Sequence, residues 1–555
     1  MYVQQYAPVL GSLAISSAIA ALPLLVLFVL LGGLRVRAWL ASLIALAVAL
    51  VVAIAVYAMP VGQALLAGTE GAVFGFFPIL WIVINALWIY RMTVRTGHFD
   101  VLRRSFSSVS DDQRIQAVLI AFSFGALLEA LAGFGAPVAI CTVMLMALNF
   151  APLKAAVVAL VANTAPVAFG AIAVPITTLS QVTGLPEDVL GAVVGRQTPV
   201  LAVFVPFVLV FIVDGMRGLR ETWLVALVGG LSFAIAQFLT SNFLSVPLTD
   251  IVAALVCAGA VVAVVKARRT TTARPVTVGA GGGGGGVGDG PDEAAVPDAS
   301  GRQTAADDSR RDTVLAYLPY VIIIVLFSVQ QIPPIKSAID ATTTKFRWPG
   351  LDVRTPTGSQ VSSTSFTFNW LASAGTILLI AGLLTMLALR VAPRVAVSSY
   401  GQTLSELRGA IVTVMAVLAL AYVMNLSGQT ITIGQWLAAT GGLFAVLSPV
   451  LGWLGVAVTG SDTSSNSLFG ALQVAAAERS GLDPVLLASA NTSGGVLGKM
   501  ISPQNLAIAA SAVGMAGREG EIFRKVLPWS LVFLLGMAVL VYLQSTPVLG
   551  WMLPG

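Results

Sequence analysis

Three ionisable residues stand within predominantly apolar stretches of the sequence: Glu129, Asp462 and Lys499. A charge at the centre of a membrane helix costs roughly 2.5–3.5 kcal/mol on insertion scales, so each needs a partner or a task. Each carboxyl adjoins an interruption. Glu129 precedes Gly133, Gly135 and Pro137, and Asp462 lies within Thr459-Gly-Ser-Asp-Thr-Ser-Ser-Asn466. Burial disfavours an ionised carboxyl, which makes Glu129 and Asp462 the candidates to take up and release a proton. Lys499 is the candidate to neutralise a bound anion or one of these acids; a structural ion pair is its plainer role.

The interruptions have a chemistry of their own. Glycine permits a sharp break and Pro137 suits the first turn of a new helix. In lipid, a broken backbone is tolerated only where protein or a polar cavity satisfies its amides. A new helix N-terminus presents free N–H groups with partial positive charge, a ready site for a carboxylate. Gly133 and Gly135 would supply such a site from the first break, and the hydroxyls and amides of Ser461, Thr463, Ser464, Ser465 and Asn466 could complete its hydrogen bonds from the second. Asn163-Thr164 and Asn491-Thr492 would add hydrogen bonds from opposite sides. The plainer alternative is that the hydroxyls cap helices and the glycines let them pack closely. Glu70, Lys154 and Asp214, judged by run length, belong at membrane interfaces, and His98 in a solvated loop.

The elements that must position these residues are membrane helices. Of 555 residues, 57% are hydrophobic and only 10% charged, against roughly a quarter charged in soluble domains. Apolar runs at 9–33, 38–59, 71–90 and 527–543 each approach the ~20 residues that span a hydrocarbon core. They recur along the chain, so the first is not a lone signal peptide. The basic loops, including Arg35, Arg37, Arg91, Arg95, Arg408 and Arg524, are expected inside, with the N-terminus and the loop 333–369 outside. The net charge of +5 is then an orientation signal and implies no nucleic-acid partner. Two cysteines and one histidine support no disulfide framework, metal site or haem, and no cofactor is expected. There is no phosphate loop, metalloprotease or serine-nucleophile motif, so ATP drive and enzyme chemistry are not indicated.

The stretch 266–312, with its glycine run 281–286, reads as a disordered cytoplasmic linker. It separates membrane halves 1–265 and 313–555. Gly170 and Pro175 follow Asn163 at the same offsets as Gly498 and Pro503 follow Asn491, which suggests a duplication. One half begins outside and the other inside, so the repeats would be inverted, the common plan of secondary transporters with a midplane site. The expected fold is an all-α polytopic membrane protein of about 12–14 segments, with two inverted repeats and broken or re-entrant helices.

These segments resemble the L-lactate permease family. The likeness runs through Thr96-Gly-His-Phe-Asp100, Gly133-Phe-Gly-Ala-Pro137, Asn163-Thr-Ala-Pro-Val-Ala-Phe-Gly170, Val194-Gly-Arg196, Phe233-Ala-Ile-Ala-Gln237 and Trp348-Pro-Gly-Leu351. It is strongest at Gly460-Ser-Asp-Thr-Ser-Ser-Asn466, Asn491-Thr492 and Gly498-Lys-Met-Ile-Ser-Pro-Gln504. The glycine-rich linker departs from the pattern. The resemblance implies proton-coupled import of L-lactate and related 2-hydroxy monocarboxylates (glycolate, D-lactate) across the plasma (inner) membrane. It also implies a distant kinship with carriers built from scaffold and transport domains. In sodium-coupled dicarboxylate carriers of that wider group a repeated Ser-Asn-Thr binds sodium and carboxylate. Here the triplets are Ala162-Asn163-Thr164 and Ala490-Asn491-Thr492, and loss of the first hydroxyl weakens a sodium site. A sodium-coupled dicarboxylate carrier and a non-transporting lactate sensor are the alternatives. Membrane lipid, the substrate anion and protons are the expected partners.

Overall fold

The computed structural model describes residues 1–34, 36–107, 109–131, 133, 135–267, 308–330, 332–515 and 518–554. Most of the expected linker, 268–307, lies outside the described residues; helix Thr249–Ala267 ends before it and Arg310–Gln330 follows it. Among the described residues, 10 helical runs are long and apolar enough to cross a membrane, or 11 counting the bent pair Pro152–Ala162 and Val167–Thr183. The run Glu187–Phe243 is 57 residues, about 85 Å at 1.5 Å per residue, far more than one bilayer. Non-helical Asp214 and Gly215 divide it. Ala374–Ala388 is apolar but has only 15 residues. The chain is therefore an all-α polytopic membrane protein, with 10 or 11 such runs among the described residues against the 12–14 segments expected.

Strands occur only at the edges of this bundle, among the described residues. Thr344–Arg347 pairs antiparallel with Ser365–Phe368. Tyr2–Val3 pairs parallel with Val353–Arg354, and Gln4 N donates to Arg354 O at 2.9 Å. The N-terminus and the loop 333–369 thus share one face, here called the loop face. The basic segments gather elsewhere and are tied together by charge. Arg91 pairs with Glu406, Arg104 with Asp308 at 2.6 Å, and Arg114 with Asp112, Asp214 and Glu221 at 2.7, 3.1 and 2.6 Å. Asp214 and Lys154, whose Nζ donates to Val213 O at 2.7 Å, belong to this arginine-rich edge.

Glu70 does not follow its expectation. It is buried on Val61–Phe74 against Pro393–Ser427, and neither carboxylate oxygen has a hydrogen-bond partner among the described residues. The helix that carries it starts at Val61, ahead of the apolar run that begins at Gly71, and ends at Phe74 before the non-helical Phe77.

One succession of elements occurs in both halves. Gln113–Leu131, a glycine break and Ala136–Ala147 precede the proline-started helix Pro152–Ala162. Phe444–Thr459, a glycine break and Asp462–Ser480 precede the proline-started helix Pro484–Gly498. The packing around the second break is glycine-lined: a Cβ at Gly452 would lie 1.9 Å from Asn491 O, and one at Gly494 2.1 Å from Pro449 O. Small residues let helix backbones approach this closely.

Candidate functional site

Glu129 is 2% exposed and lies one turn before the first break. Gly133 and Gly135 hold φ of +50° and +85°, values that strain any residue with a side chain. They turn the chain into Ala136–Ala147; Ala132 and Phe134 of this motif lie outside the described residues. A Cβ at Gly170 would come within 3.0 Å of Glu129 Oε1, so that glycine leaves the space the carboxylate fills. The Lys499 ammonium is ion-paired with Glu129 Oε1. Asn163 Nδ2 donates to Oε2 at 3.0 Å. Both oxygens of Glu129 are satisfied.

Asp462 is held differently. It opens the helix Asp462–Ser480, which Ser461 caps by accepting from Ser464 N at 3.2 Å. The N–H groups of Asp462 and Thr463 have no intrahelical acceptor and form the positive end of the helix. Both Asp462 oxygens are buried without a hydrogen-bond partner among the described residues. Gly495 makes room for them, since a Cβ there would stand 2.2 Å from Asp462 Oδ1.

A cavity of about 270 Å³ joins the two acids. Glu129, Gly133, Ser461, Asp462, Thr463, Ser464 and Lys499 line it, bringing together half of the residues proposed from sequence. Its size is at the small end of ligand sites, which run from about 300 to 1,000 Å³. The lining extends to Ala38, Trp39, Gly409 and Ala410, neighbours of Arg37 and Arg408, so the cavity adjoins the arginine-rich side.

The other proposed residues stand behind the lining, and Ser465 Oγ there donates to Gly452 O at 3.1 Å. A Cβ at Gly135 would meet Ile508 Cδ1 at 2.3 Å, which makes Gly135 a close-packing point. Asn163 orients Glu129, and Thr164 Oγ1 donates to Val161 O at 2.7 Å. Asn491 and Thr492 lie inside an unbroken helix, not at a break. They donate to Asn466 Oδ1 at 2.9 and 3.0 Å, while Asn466 Nδ2 donates to Pro175 O at 3.0 Å. Asn466 thereby pins the second half to the bent helix of the first. Trp39, Thr413 and Gln504 line the cavity but carried no local signal as site residues. Gln504 alone belonged to a singled-out motif.

Chemically, the site holds one cation already paired and one carboxyl with no partner. An anion entering beside an ionised Asp462 would meet like charge in a poorly screened space. A proton on Asp462 would remove that opposition, and one on Glu129 would free Lys499.

The L-lactate permease family model matches residues 16–548. The L-lactate permease of Bacillus subtilis (strain 168) is 40% identical over 575 residues, covering 100% of both chains. The glycolate permease of Escherichia coli (strain K12) is 40% identical over 556 residues, covering 98% of each. Among solved structures, the YdaH transporter of Alcanivorax borkumensis aligns with a TM-score of 0.44 and 18% identity, over 87% of this chain and 88% of that one.

Proposed function

The chain belongs to the L-lactate permease family, permeases and not enzymes, and from that premise we propose that this multi-pass plasma-membrane protein imports L-lactate and related 2-hydroxy monocarboxylates such as glycolate by proton symport. The observation that carries the reading is the unpartnered carboxylate of Asp462 in the same cavity as the Glu129–Lys499 pair. The free N–H groups of Asp462 and Thr463 and the hydroxyls of Ser461, Thr463 and Ser464 are suited to the substrate carboxylate and 2-hydroxyl. Protonation of Glu129 releases Lys499 to the substrate carboxylate, and protonation of Asp462 removes the opposing charge.

The energetics favour this coupling. An α-carboxyl group titrates at about 3.5, so lactate is an anion near neutral pH. Bringing it inward against the membrane potential costs about 2.3 kcal/mol per 100 mV. One accompanying proton cancels that cost. The basic segments set the arginine-rich face inside, so the arrangement described is read as inward-facing, with the halves acting as inverted repeats about the cavity.

The test is radiolabelled L-lactate uptake into proteoliposomes with an imposed pH gradient and no sodium. Accumulation that collapses with the gradient supports the symporter. Accumulation that appears only with sodium and ignores pH would replace proton coupling by sodium coupling, and no passage of lactate at all would make the protein a sensor.

A further inference from the structure

Gln504 is the only carboxamide among the described residues that line the cavity. It is the second residue of the helix Pro503–Ala512 and is exposed. Its side chain makes no hydrogen bond among the described residues. The neutral hydroxyls around it are differently placed. Thr413 Oγ1 donates to Gly409 O at 2.8 Å, and Thr459 Oγ1 to Gly455 O at 2.7 Å, so both protons are spent on carbonyls of their own helices. Ser461 is committed to its cap. Thr463 and Ser464 stand in the first helical turn, beside the free N–H groups that suit a carboxylate.

Contacts on two sides fix where the carboxamide lies. A Cβ at Gly460 would stand 2.6 Å from Gln504 Oε1 and 3.2 Å from Gln504 Cβ. The missing side chain of Gly460 therefore leaves the space that Gln504 fills. Gly460, with φ of +75°, immediately precedes the capping Ser461 and then Asp462. On the other side the backbone is tied to the lysine of the ion pair. Ser502 Oγ and Asn505 Nδ2 each donate to Lys499 O at 3.0 Å. Ser502 also caps the helix, accepting from Asn505 N at 3.4 Å. The same helix presses on the first break, where a Cβ at Gly135 would stand 2.3 Å from Ile508 Cδ1 and 3.4 Å from Asn505 Oδ1. It is thus wedged against both breaks, and its first turn brings an unused carboxamide to the one that carries Asp462.

We propose that Gln504 binds the 2-hydroxyl group of the substrate and so selects 2-hydroxy acids over unsubstituted short carboxylates. The proposal rests on the import reading for the identity of the anion. A hydroxyl is both donor and acceptor, and a carboxamide answers each role without charge. The carboxylates of Glu129 and Asp462 could also accept the hydroxyl proton, but their charge opposes the substrate's own carboxylate in a poorly screened space. In a 2-hydroxy acid the carboxylate and the hydroxyl sit on adjacent carbons. The helix N-terminus at Asp462 and the carboxamide of Gln504 meet at Gly460, so both groups find partners on neighbouring residues. An acid without the hydroxyl leaves the carboxamide unpaired, which is how a site built to hydrogen-bond a hydroxyl rejects the analogue that lacks it.

The test compares L-lactate with propionate, the same acid without the hydroxyl. Dissociation constants for both are obtained from ligand-dependent melting temperatures of the full-length protein in detergent, for wild type, Gln504→Leu and Gln504→Met. Wild type should bind lactate more tightly than propionate. In the variants the ratio of the propionate constant to the lactate constant should fall about threefold or more, the worth of one uncharged hydrogen bond. The fall should come from weaker lactate binding, with propionate little changed. A smaller fall overturns the proposal, and so does a parallel weakening of both acids, which a structural role would produce. Equal binding of the two acids by wild type overturns it as well. Gln504→Met, unbranched and of similar length, decides the matter where the leucine variant does not fold. Because the readout is binding alone, sodium coupling or an absence of transport would overturn the symport reading and leave this ratio standing. Wild type that binds neither acid would remove both.

Discussion

The ammonium of Lys499 and the carboxylate of Glu129 form a buried ion pair across 370 positions of sequence, joining the two halves of the chain at the cavity. Asp462, only 37 positions before Lys499 by number (499 − 462), is left without a side-chain hydrogen-bond partner among the described residues. The proposed division of labour follows. The paired acid gates the cation, and the unpaired acid sets whether an anion is tolerated.

Breaking the pair from one side strands a charge. Glu129→Gln leaves Lys499 buried and uncompensated, which costs about 3–5 kcal/mol. Thermal unfolding in detergent should fall clearly, and the double variant Glu129→Gln with Lys499→Gln should recover most of the loss while remaining inactive in uptake. A single variant that unfolds at the wild-type temperature would contradict the pairing.

Asp462→Asn fixes the unpaired acid in a neutral form. Lactate exchange should persist at a reduced rate, whereas accumulation driven by a pH gradient should lose the contribution of one proton. Because about 1.4 kcal/mol is a factor of ten in an equilibrium, that contribution is about tenfold per pH unit of gradient. Steady-state accumulation ratios at two gradients measure it directly, and an unchanged slope would remove Asp462 from the coupling.

Asn466→Ala removes the acceptor shared by Asn491 and Thr492 and the donor to Pro175 O. Buried groups left unsatisfied cost about 1–3 kcal/mol each. The variant should unfold at lower temperature and should weaken lactate binding, because the capped helix that carries Ser461 to Ser464 loses its anchor. Binding at wild-type strength in a folded Asn466→Ala protein would show that the anchor is dispensable.

Glycine spacing predicts a contrast between two helices. Gly452→Ala drives a methyl group into the backbone carbonyl of Asn491, and overpacking of this kind costs about 1–3 kcal/mol. Gly259→Ala meets nothing within 4 Å and should be neutral or slightly stabilising by helix propensity. Melting temperatures of the two variants, compared with wild type, decide it.

Outside the membrane, the Arg104 guanidinium holds the Asp308 carboxyl below its usual range through a hydrogen bond. A carboxyl depressed on folding contributes stability above its unfolded pKa, about 3.9, and loses it as pH falls through the lower folded value. Arg104→Gln should therefore lower the melting temperature modestly at pH 7. The gap to wild type should narrow in strong acid, and a gap that widens there would reverse the sign of the argument.

The sequence by itself determined that the chain lies in the membrane, where its helices break, and which charges inside them need a reason. These are local properties: hydropathy over a window, glycine and proline at a break, a carboxyl among apolar residues. It therefore contained Glu129, Asp462 and Lys499 as candidates but left open which acid the lysine meets. Only the tertiary structure decided that Lys499 takes Glu129, that Asn491 and Thr492 donate to Asn466 behind the cavity, and that Trp39, Thr413 and Gln504 complete its lining. It also moved Glu70 from an expected interface to a buried position. The physical reason is that a side chain's burial and partners depend on which helices pack together, and here helices hundreds of residues apart meet through close glycine contacts that no single segment specifies.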